Sequence, residues 1–303
     1  MRYKLITYVQ LFSMVLIAMV TLVSCEKEVH ISLAGSPPAL VVDGSIETNV
    51  PPYIFLTSTI SFFSTIDLTT LQNSFIHGAN IQVSDGSKTV TLKEYSFDTG
   101  VNNKFYVYTV DTSNLSNVML GEVGKSYTLT ISYNGTTYTS ITKVPAVKGL
   151  DSLWFATPIS GNSKIPANAR QLFVNYTDPD TPGNYVRYFT QRNSEQFFSG
   201  GIFSDQLVNG KVVDNIALSA GYNKSINANG DSLSYFYPGD SVTLKWCEID
   251  QAVYTFWNTS DFAAIAAGNP FSSPINVTSN VSNGALGVWA GYGSVYYTMV
   301  VPK

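Results

Sequence analysis

Hydrophobic and polar positions alternate along most of the chain, in short runs that turn residues separate. The runs Leu40–Ile46 and Tyr53–Thr57 are rich in β-branched and aromatic residues, and both predict β-strands. The clearest pair of strands is Tyr127–Ser132 and Thr137–Ile141, joined through Asn134-Gly135. Because Asn-Gly readily adopts the positive φ angles of a type I′ turn, this segment predicts a β-hairpin. Antiparallel strands at such short spacing are typical of a β-sandwich.

The second half of the chain predicts further strands. Leu172–Tyr176 and Tyr185–Phe189 favour two strands that pair with each other across a turn rich in Asp, Pro and Gly. Three later segments carry the same strand pattern: Ser241–Trp246, Leu286–Trp289 and Ser294–Val300. Between these groups, Phe197–Lys211 is a looser segment that contains two consecutive glycines.

One helix interrupts the strands. Asp250 is a favourable N-cap for a helix over 251–267, whose apolar stripe suits packing on a sheet. The length of 303 residues favours two domains, with one large β domain as the alternative. The favoured boundary is Val144-Pro145-Ala146, because proline cannot extend a central strand. We therefore predict an all-β protein: an immunoglobulin-like N-terminal β-sandwich over 39–146, followed by a second, larger β domain over 147–303 that carries the helix.

The N-terminus has the pattern of an export signal. A positively charged start precedes Leu11–Val23, an apolar run that is shorter than the roughly 20 residues of a membrane span. The run ends in Leu22-Val23-Ser24-Cys25, which resembles a bacterial lipobox, where the cysteine thiol carries the lipid. We predict a lipoprotein signal peptide over 1–24, lipidation of Cys25 and a polar tether over 25–38. The alternative is an ordinary secretory signal followed by a coincidental cysteine.

The residues after the lipidation site bear on localisation. Glu26-Lys27-Glu28 resembles the short acidic tract that sends Bacteroidota lipoproteins to the outer face of the outer membrane, although any solvated tether would be polar. We expect exposure on the cell surface, with the periplasmic face as the alternative. The formal net charge is −4, and loss of Arg2 and Lys4 with the signal makes the mature chain −6. This balance gives no electrostatic support for nucleic-acid binding.

The composition offers little material for catalysis, since the chain has two His and two Cys. His30 lies in the predicted tether, and His77 lies in a turn-like stretch without a partner at a recognisable spacing. Cys247 alternates with its neighbours, which predicts a buried strand residue. The sequence contains no nucleophile elbow, phosphate-binding loop or dinucleotide fingerprint. We expect neither catalytic activity nor a cofactor.

Two pairs of carboxylates and several aromatic groups remain as candidate chemistry. Asp178 and Asp180 would suit a Ca²⁺ loop, but Asp-Pro-Asp-Thr-Pro-Gly is also ordinary turn chemistry, so we predict no metal site. Glu248 could pair with Asp250, which is already explained as a helix cap. Three aromatic groups lie beside Ser, Gly or Pro, where loops would expose them: Phe62-Phe63, Phe197-Phe198 and Tyr235-Phe236-Tyr237. Exposed aromatic rings stack on sugars or anchor protein partners, and buried ones simply fill a core.

Several stretches, taken in order, resemble one protein family. They are the Cys-Glu-Lys-Glu start, Leu40–Ile46, Pro52–Phe63, Ile202–Asp205 with Asn209–Lys211, Gly239–Val242 with Tyr254–Trp257, and Ser279-Asn280 with Gly284–Gly287. The chain is similar over its whole mature length to the Bacteroidota lipoproteins catalogued as domain of unknown function 4249. Such proteins are typically encoded beside TonB-dependent outer-membrane receptors, so the resemblance implies a surface partner of an uptake machine. The family has no assigned catalytic residues.

Three functional hypotheses follow. The first is a non-enzymatic, lipid-anchored protein that captures a small ligand, peptide or glycan of unknown identity for a TonB-dependent receptor. The second is a structural or adhesive envelope protein that binds other proteins or glycans through its aromatic residues. The third is a hydrolase whose dispersed carboxylates face each other about 5 to 9.5 Å apart. A concave aromatic pocket favours capture, whereas a flat apolar patch favours adhesion.

Overall fold

Strands dominate the protein, which confirms the predicted all-β fold. The computed structural model describes residues 38–60, 67–98, 104–114, 116, 118–159, 165–219, 235–266, 273 and 275–303. The described residues form fifteen strands: β1 (Leu40–Glu47), β2 (Val50–Ser58), β3 (Asn80–Ser84), β4 (Thr89–Thr91), β5 (Lys93–Asp98), β6 (Lys104–Thr109), β7 (Ser126–Tyr133), β8 (Thr136–Lys143), β9 (Ser152–Ala156), β10 (Gln171–Thr177), β11 (Tyr185–Arg192), β12 (Phe198–Ser204), β13 (Val212–Leu218), β14 (Ser241–Ile249) and β15 (Leu286–Val300). They also form the helices α1 (Leu68–Ser74) and α2 (Gln251–Ala266) and a 3₁₀ helix at Asp205–Leu207.

The strands form one large sheet and two small ones. The large sheet has eight strands in the order β12-β11-β14-β15-β1-β2-β6-β5. The small sheets have the orders β4-β3-β7-β8 and β13-β10-β9. β1 and β15 pair in parallel at the centre of the large sheet, and the other described strand pairs are antiparallel.

The four-stranded sheet packs on the β1–β2 region of the large sheet to form a sandwich. Alternate residues of the two sheets meet in one core, for example Ile54 with Ile81 and Leu129. Trp289 of β15 is fully buried in this core, and its Nε1 donates a hydrogen bond to the carbonyl oxygen of Tyr127 at 3.0 Å. A residue near the C-terminus therefore completes the core of the N-terminal sandwich.

The three-stranded sheet packs on the β11–β14 region and forms a second core. This core contains Leu172 and Val174 of β10 together with Leu244 and Trp246 of β14. The predicted division at residue 146 falls between β8 and β9, and it stays a prediction. The first core consists mainly of residues before this division, and the second core consists of residues after it. The large sheet, however, joins strands from both sides, and residues 38–303 form one compact unit.

The end of β8 and the connection that follows it cross directly over β15. A Cβ atom on Gly291 would lie 2.1 Å from the carbonyl oxygen of Lys143, and one on Gly293 would lie 1.9 Å from that of Pro145. These distances are far shorter than any van der Waals contact, so only glycine fits at the two crossing points. The crossing segment is buried at Val144, which belongs to the first core.

Helix α2 covers part of the other face of the large sheet, as its apolar stripe predicts. Val253 and Phe256 pack with Ile249 and Tyr292, which point away from the two sandwich cores. Asp250 caps the helix as predicted, because its Oδ1 accepts a hydrogen bond from the backbone N–H of Val253 at 2.9 Å. The helix spans 251–266 among the described residues, and its predicted end at 267 lies outside them. No described helix has both the length and the apolarity needed to cross a membrane.

The predicted turn of the β7–β8 hairpin is confirmed, whereas one predicted pairing of strands is not. The hairpin of β7 and β8 forms, with Asn134 at φ 47° and Gly135 at φ 76°. The predicted pairing of β10 with β11 is wrong, because β10 pairs with β9 and β13 while β11 pairs with β12 and β14. The turn after β10 carries the chain from one sheet to the facing one. The two predicted final strands are one continuous strand, β15.

Candidate functional site

A cavity of about 320 Å³ lies between the three-stranded sheet and strands β11, β12 and β14. Seven apolar side chains line it: Val186, Phe203, Leu207, Val208, Val213, Ile216 and Trp246. Leu207, in the 3₁₀ helix, is 86% exposed, so the cavity opens to solvent beside this residue. Its size and its apolar wall are those of a small-molecule site.

Two rings of the cavity wall, those of Phe203 and Trp246, stack with the ring of Tyr188 on the large sheet. The Trp246 ring centroid lies 6.3 Å from those of Phe203 and Tyr188, which are themselves 5.9 Å apart. Gly200 makes this stack possible, because a Cβ there would lie 1.9 Å from the Tyr188 ring. Trp246 is 1% exposed, and its indole Nε1 has no hydrogen-bond partner among the described residues. A buried indole N–H normally finds an acceptor, so the aromatic wall has an unused donor.

Two buried carboxylates also line the cavity. Asp205 Oδ2 accepts hydrogen bonds from the backbone N–H groups of Gly183 at 2.6 Å and Asn184 at 2.9 Å. Asp178 Oδ2 accepts one from the backbone N–H of Gly210 at 3.1 Å. Burial raises the pKa of Asp178, and the negative charge of Asp205 raises this pKa further. Both carboxylates are therefore held by neutral donors while each opposes the charge of the other.

A third acid lies behind the cavity wall. Glu248 of β14 is 3% exposed, and its Oε1 accepts a hydrogen bond from the Tyr176 hydroxyl at 3.1 Å. Burial raises the pKa of Glu248 to about 7, and the charges of Asp178 and Asp205 contribute in the same direction. Tyr176 itself lines the cavity, and its burial beside Glu248 raises its pKa. The acids on this side of the protein thus form one electrostatically coupled group.

No cationic side chain lines the cavity in the described part of the chain. Two lysines beside the cavity have other partners. Lys148 Nζ lies 6.0 Å from the Tyr176 ring centroid and is bonded to Asp151 at 2.9 Å. Lys211 Nζ donates a hydrogen bond to the carbonyl oxygen of Leu207 at 3.4 Å, on the exposed surface. The carboxylates of the cavity are therefore not neutralised by a protein cation.

The structure separates the carboxylate pairs that the sequence suggested. Asp178 lines the cavity, whereas Asp180 is exposed and approaches Gly210 outside it. No group of three or more His, Cys, Asp or Glu residues that could hold a metal occurs among the described residues. Glu248 and Asp250 have separate roles, one beside the cavity and the other at the helix N-terminus. Sequence reasoning missed Asp205, whose only signal is its position after a strand and before a turn.

The remaining sequence candidates lie away from the cavity. Cys247 is fully buried in β14, and burial raises the pKa of its thiol to about 12. His77 is half exposed and pairs through Nδ1 with Glu94 at the other end of the large sheet. Cys25, with its predicted lipid, and His30 lie outside the described residues.

The aromatic groups predicted to lie in loops have different environments. Phe197 is 37% exposed, and its ring packs against that of Tyr296. Phe198 belongs to β12, and Phe236 is buried in the second core. Phe62-Phe63 lies outside the described residues. The loop prediction therefore identified none of the rings that line the cavity.

One buried cationic side chain lies outside the cavity. Arg187 lies on the face of β11 opposite the cavity, with its guanidinium 3.8 Å from the ring centroid of Trp257 in α2. Its Nη2 donates a hydrogen bond to Ser199 Oγ at 2.7 Å, while Nε and Nη1 have no partner among the described residues. Burial lowers the pKa of Arg187. An aromatic ring rather than a close carboxylate therefore stabilises this cation.

Comparison with known proteins gives one family. A comparison with curated proteins returns no match. Residues 26–297 match the family described as Domain of unknown function (DUF4249), which confirms the resemblance seen in the sequence. Because the match covers most of the chain, this protein belongs to the DUF4249 family.

Proposed function

We propose that this protein is an outer-membrane lipoprotein that captures a small ligand in its cavity and passes it to a TonB-dependent receptor. Anchoring would be through the lipid on Cys25, and the tract Glu26-Lys27-Glu28 favours the cell surface over the periplasmic face. The family resemblance to Bacteroidota lipoproteins supports the uptake partner. No catalytic step is part of the proposal.

The observation that carries the proposal is the cavity itself. A volume of about 320 Å³ is large enough for a small organic molecule, and its wall combines aromatic rings with a few polar groups. Cys247 and His77 lie away from the cavity, and the acids that line it in the described part of the chain are Asp178 and Asp205. A concave site favours capture over adhesion.

The anchor is tested with the two cysteines of the chain as a matched pair. We expect Cys25→Ala to move the protein from the membrane fraction to the soluble fraction, because the lipid attachment point is lost. Cys247→Ala removes the same side chain from a buried site and should leave the protein in the membrane fraction. Tight membrane association of the Cys25→Ala protein would contradict lipidation.

The partner is tested by affinity purification from native membranes. A tag at the C-terminus, with the lipid anchor intact, should recover a β-barrel receptor after mild detergent extraction. The Cys25→Ala protein is the control for nonspecific capture of membrane proteins. Recovery of no receptor at all would refute the role in TonB-dependent uptake and leave the cavity to be explained otherwise.

One surface feature favours the adhesive alternative. Phe97 of β5 and Phe105 of β6 are 45% and 38% exposed, and their rings stack with centroids 6.3 Å apart at the edge of the large sheet. Exposed aromatic rings of this kind bind glycans or protein partners. If adhesion is the function, Phe97→Ser with Phe105→Ser should abolish cell attachment, whereas a variant that fills the cavity should not change it.

A further inference from the structure

We propose that the cavity selects a small organic cation, namely a protonated amine carried on an apolar body, over neutral and anionic molecules of the same shape. This inference rests on the proposed function, since it names the chemical class of the ligand that the cavity captures. It follows from the charge of the cavity, the hydrogen bonds of its carboxylates and the nature of its wall.

The carboxylates of the cavity carry unbalanced charge. Asp178 and Asp205 are 5% and 6% exposed, yet their described partners are backbone N–H groups, which carry no net charge. Buried carboxylates in proteins are normally paired with a cation or a metal. The described part of the chain places no Lys, Arg or His in the cavity wall, and Lys148 is already paired with Asp151. A bound ammonium group would supply the missing positive charge.

Each of the two carboxylates also has unused hydrogen-bonding capacity. The described hydrogen bonds of the two carboxylates use Oδ2 in each case, and no donor in the described residues reaches Oδ1 of Asp178 or Asp205. An ammonium group has three N–H donors, so it can satisfy more than one of these acceptors at once. A carboxylate ligand would meet the same oxygen atoms with repulsion.

The wall of the cavity suits an organic cation better than an inorganic one. The rings of Phe203 and Trp246 together with the side chains of Val186, Val213 and Ile216 present a mainly apolar surface. A hydrated inorganic cation gains little from such a surface, whereas an apolar body gains free energy as its area leaves water. Aromatic faces also attract organic cations. The combination therefore suits an amphipathic cation better than a metal ion.

The experiment compares matched probes on the full-length protein. Three scaffolds (phenyl, indolyl and cyclohexyl) each carry an aminoethyl, a hydroxyethyl or a carboxyethyl arm, and isothermal titration calorimetry measures Kd for all nine compounds. We expect at least one amine to bind about tenfold or more tightly than its alcohol, with its carboxylate weaker still. Tenfold corresponds to about 1.4 kcal/mol, which is modest for a hydrogen-bonded charge pair that is largely buried.

Two pairs of variants locate the effect. Asp178→Asn should remove most of the preference for the amine while the alcohol still binds, and Asp214→Asn removes the same charge from an exposed position of β13 and should leave the preference intact. Val213→Trp fills the cavity and should abolish binding of every probe. Val212→Trp places the same ring on the exposed neighbouring position, where the side chain is 61% exposed, and should change nothing.

The possible failures are distinct. If an alcohol or a carboxylate binds as tightly as its amine at the cavity, the inference about cations is wrong and ligand capture stands. If amines bind but Val213→Trp does not affect them, they bind elsewhere and the inference is also wrong. If none of the nine probes binds at millimolar concentration while the protein is folded by circular dichroism, both the inference and capture in this cavity are refuted.

Discussion

Replacement of Glu248 by Gln should change how the stability of the protein depends on pH. Glu248 is buried, and its pKa in the folded protein is about 7, against an ordinary value of 4.5. Between these values the unfolded chain has lost the proton while the folded protein retains it. Stability from this group is therefore complete below pH 4.5 and is lost as the pH rises through 7. The loss amounts to about 3 kcal/mol, since each tenfold change in a protonation equilibrium corresponds to about 1.4 kcal/mol.

The Gln variant has no proton to lose at this position. Its amide oxygen can still accept the hydrogen bond from Tyr176, whereas its amide NH₂ meets the backbone N–H of Lys148, which donates to Glu248 in the native protein. That mismatch adds a penalty that does not depend on pH. The change with pH, rather than the absolute stability, therefore isolates the ionisation of Glu248.

Urea unfolding followed by tryptophan fluorescence at pH 5, 6.5 and 8 measures the effect. The free energy of unfolding of Glu248→Gln, relative to that of the native sequence, should rise by about 2 to 3 kcal/mol between pH 5 and pH 8. Glu122→Gln is the control, because its side chain is 61% exposed. Parallel pH curves for the native protein and Glu248→Gln would show that Glu248 is ionised at neutral pH, and the reasoning from burial would be wrong.

Three further changes test the packing. Asp250→Ala should lower the free energy of unfolding by about 2 to 3 kcal/mol in urea titrations, because it removes the cap of α2 and the acceptor of a 2.6 Å hydrogen bond from Thr142 Oγ1; Asp250→Asn should recover most of this. Gly291→Ala should destabilise the protein by about 3 kcal/mol or prevent folding, because the added methyl group would lie 2.1 Å from a backbone carbonyl oxygen. A melting temperature equal to that of the native protein would contradict the close crossing of the chain over β15. Cys247 should react with a thiol reagent only in denaturant, because the residue is fully buried and its pKa is about 12. Rapid reaction of the folded Cys25→Ala protein would be evidence against the burial of Cys247.

The sequence predicted those elements whose cause is local. The Asn134-Gly135 turn and the Asp250 cap act over three or four residues, so their patterns are visible without the fold. Cys247 was placed in a buried strand from simple alternation, and the structure confirms this position. The all-β class follows from the same short-range signals.

The pairing of strands could not be predicted in the same way. Alternation marks a strand but does not identify its neighbour, and the short loop after β10 suggested a hairpin where the chain instead changes sheet. Gly200 weakened the strand pattern of β12 in the sequence. The structure explains why a glycine occurs there, because the ring of Tyr188 occupies the space that a side chain would need.

The cavity was not predicted from the sequence, for the same reason. Asp178 stood out because of its turn motif, but Asp205 and Trp246 are brought to it by long-range contacts. Their side chains acquire a shared role only when the three-stranded sheet packs on the large one. A single sequence contains no local pattern that predicts this packing of one sheet on the other.

The parallel pairing of β1 with β15 has a consequence for how the chain can fold. The two strands are separated by more than two hundred residues, and Trp289 from the late strand fills the core that β1 helps to build. Until β15 arrives, β1 has an open hydrogen-bonding edge and the first core lacks its largest ring. Such distant contacts slow folding, since the long loop must close before the contacts form. A nascent chain would therefore depend on holding factors until its last residues emerge, and an N-terminal fragment alone would be prone to edge-to-edge association.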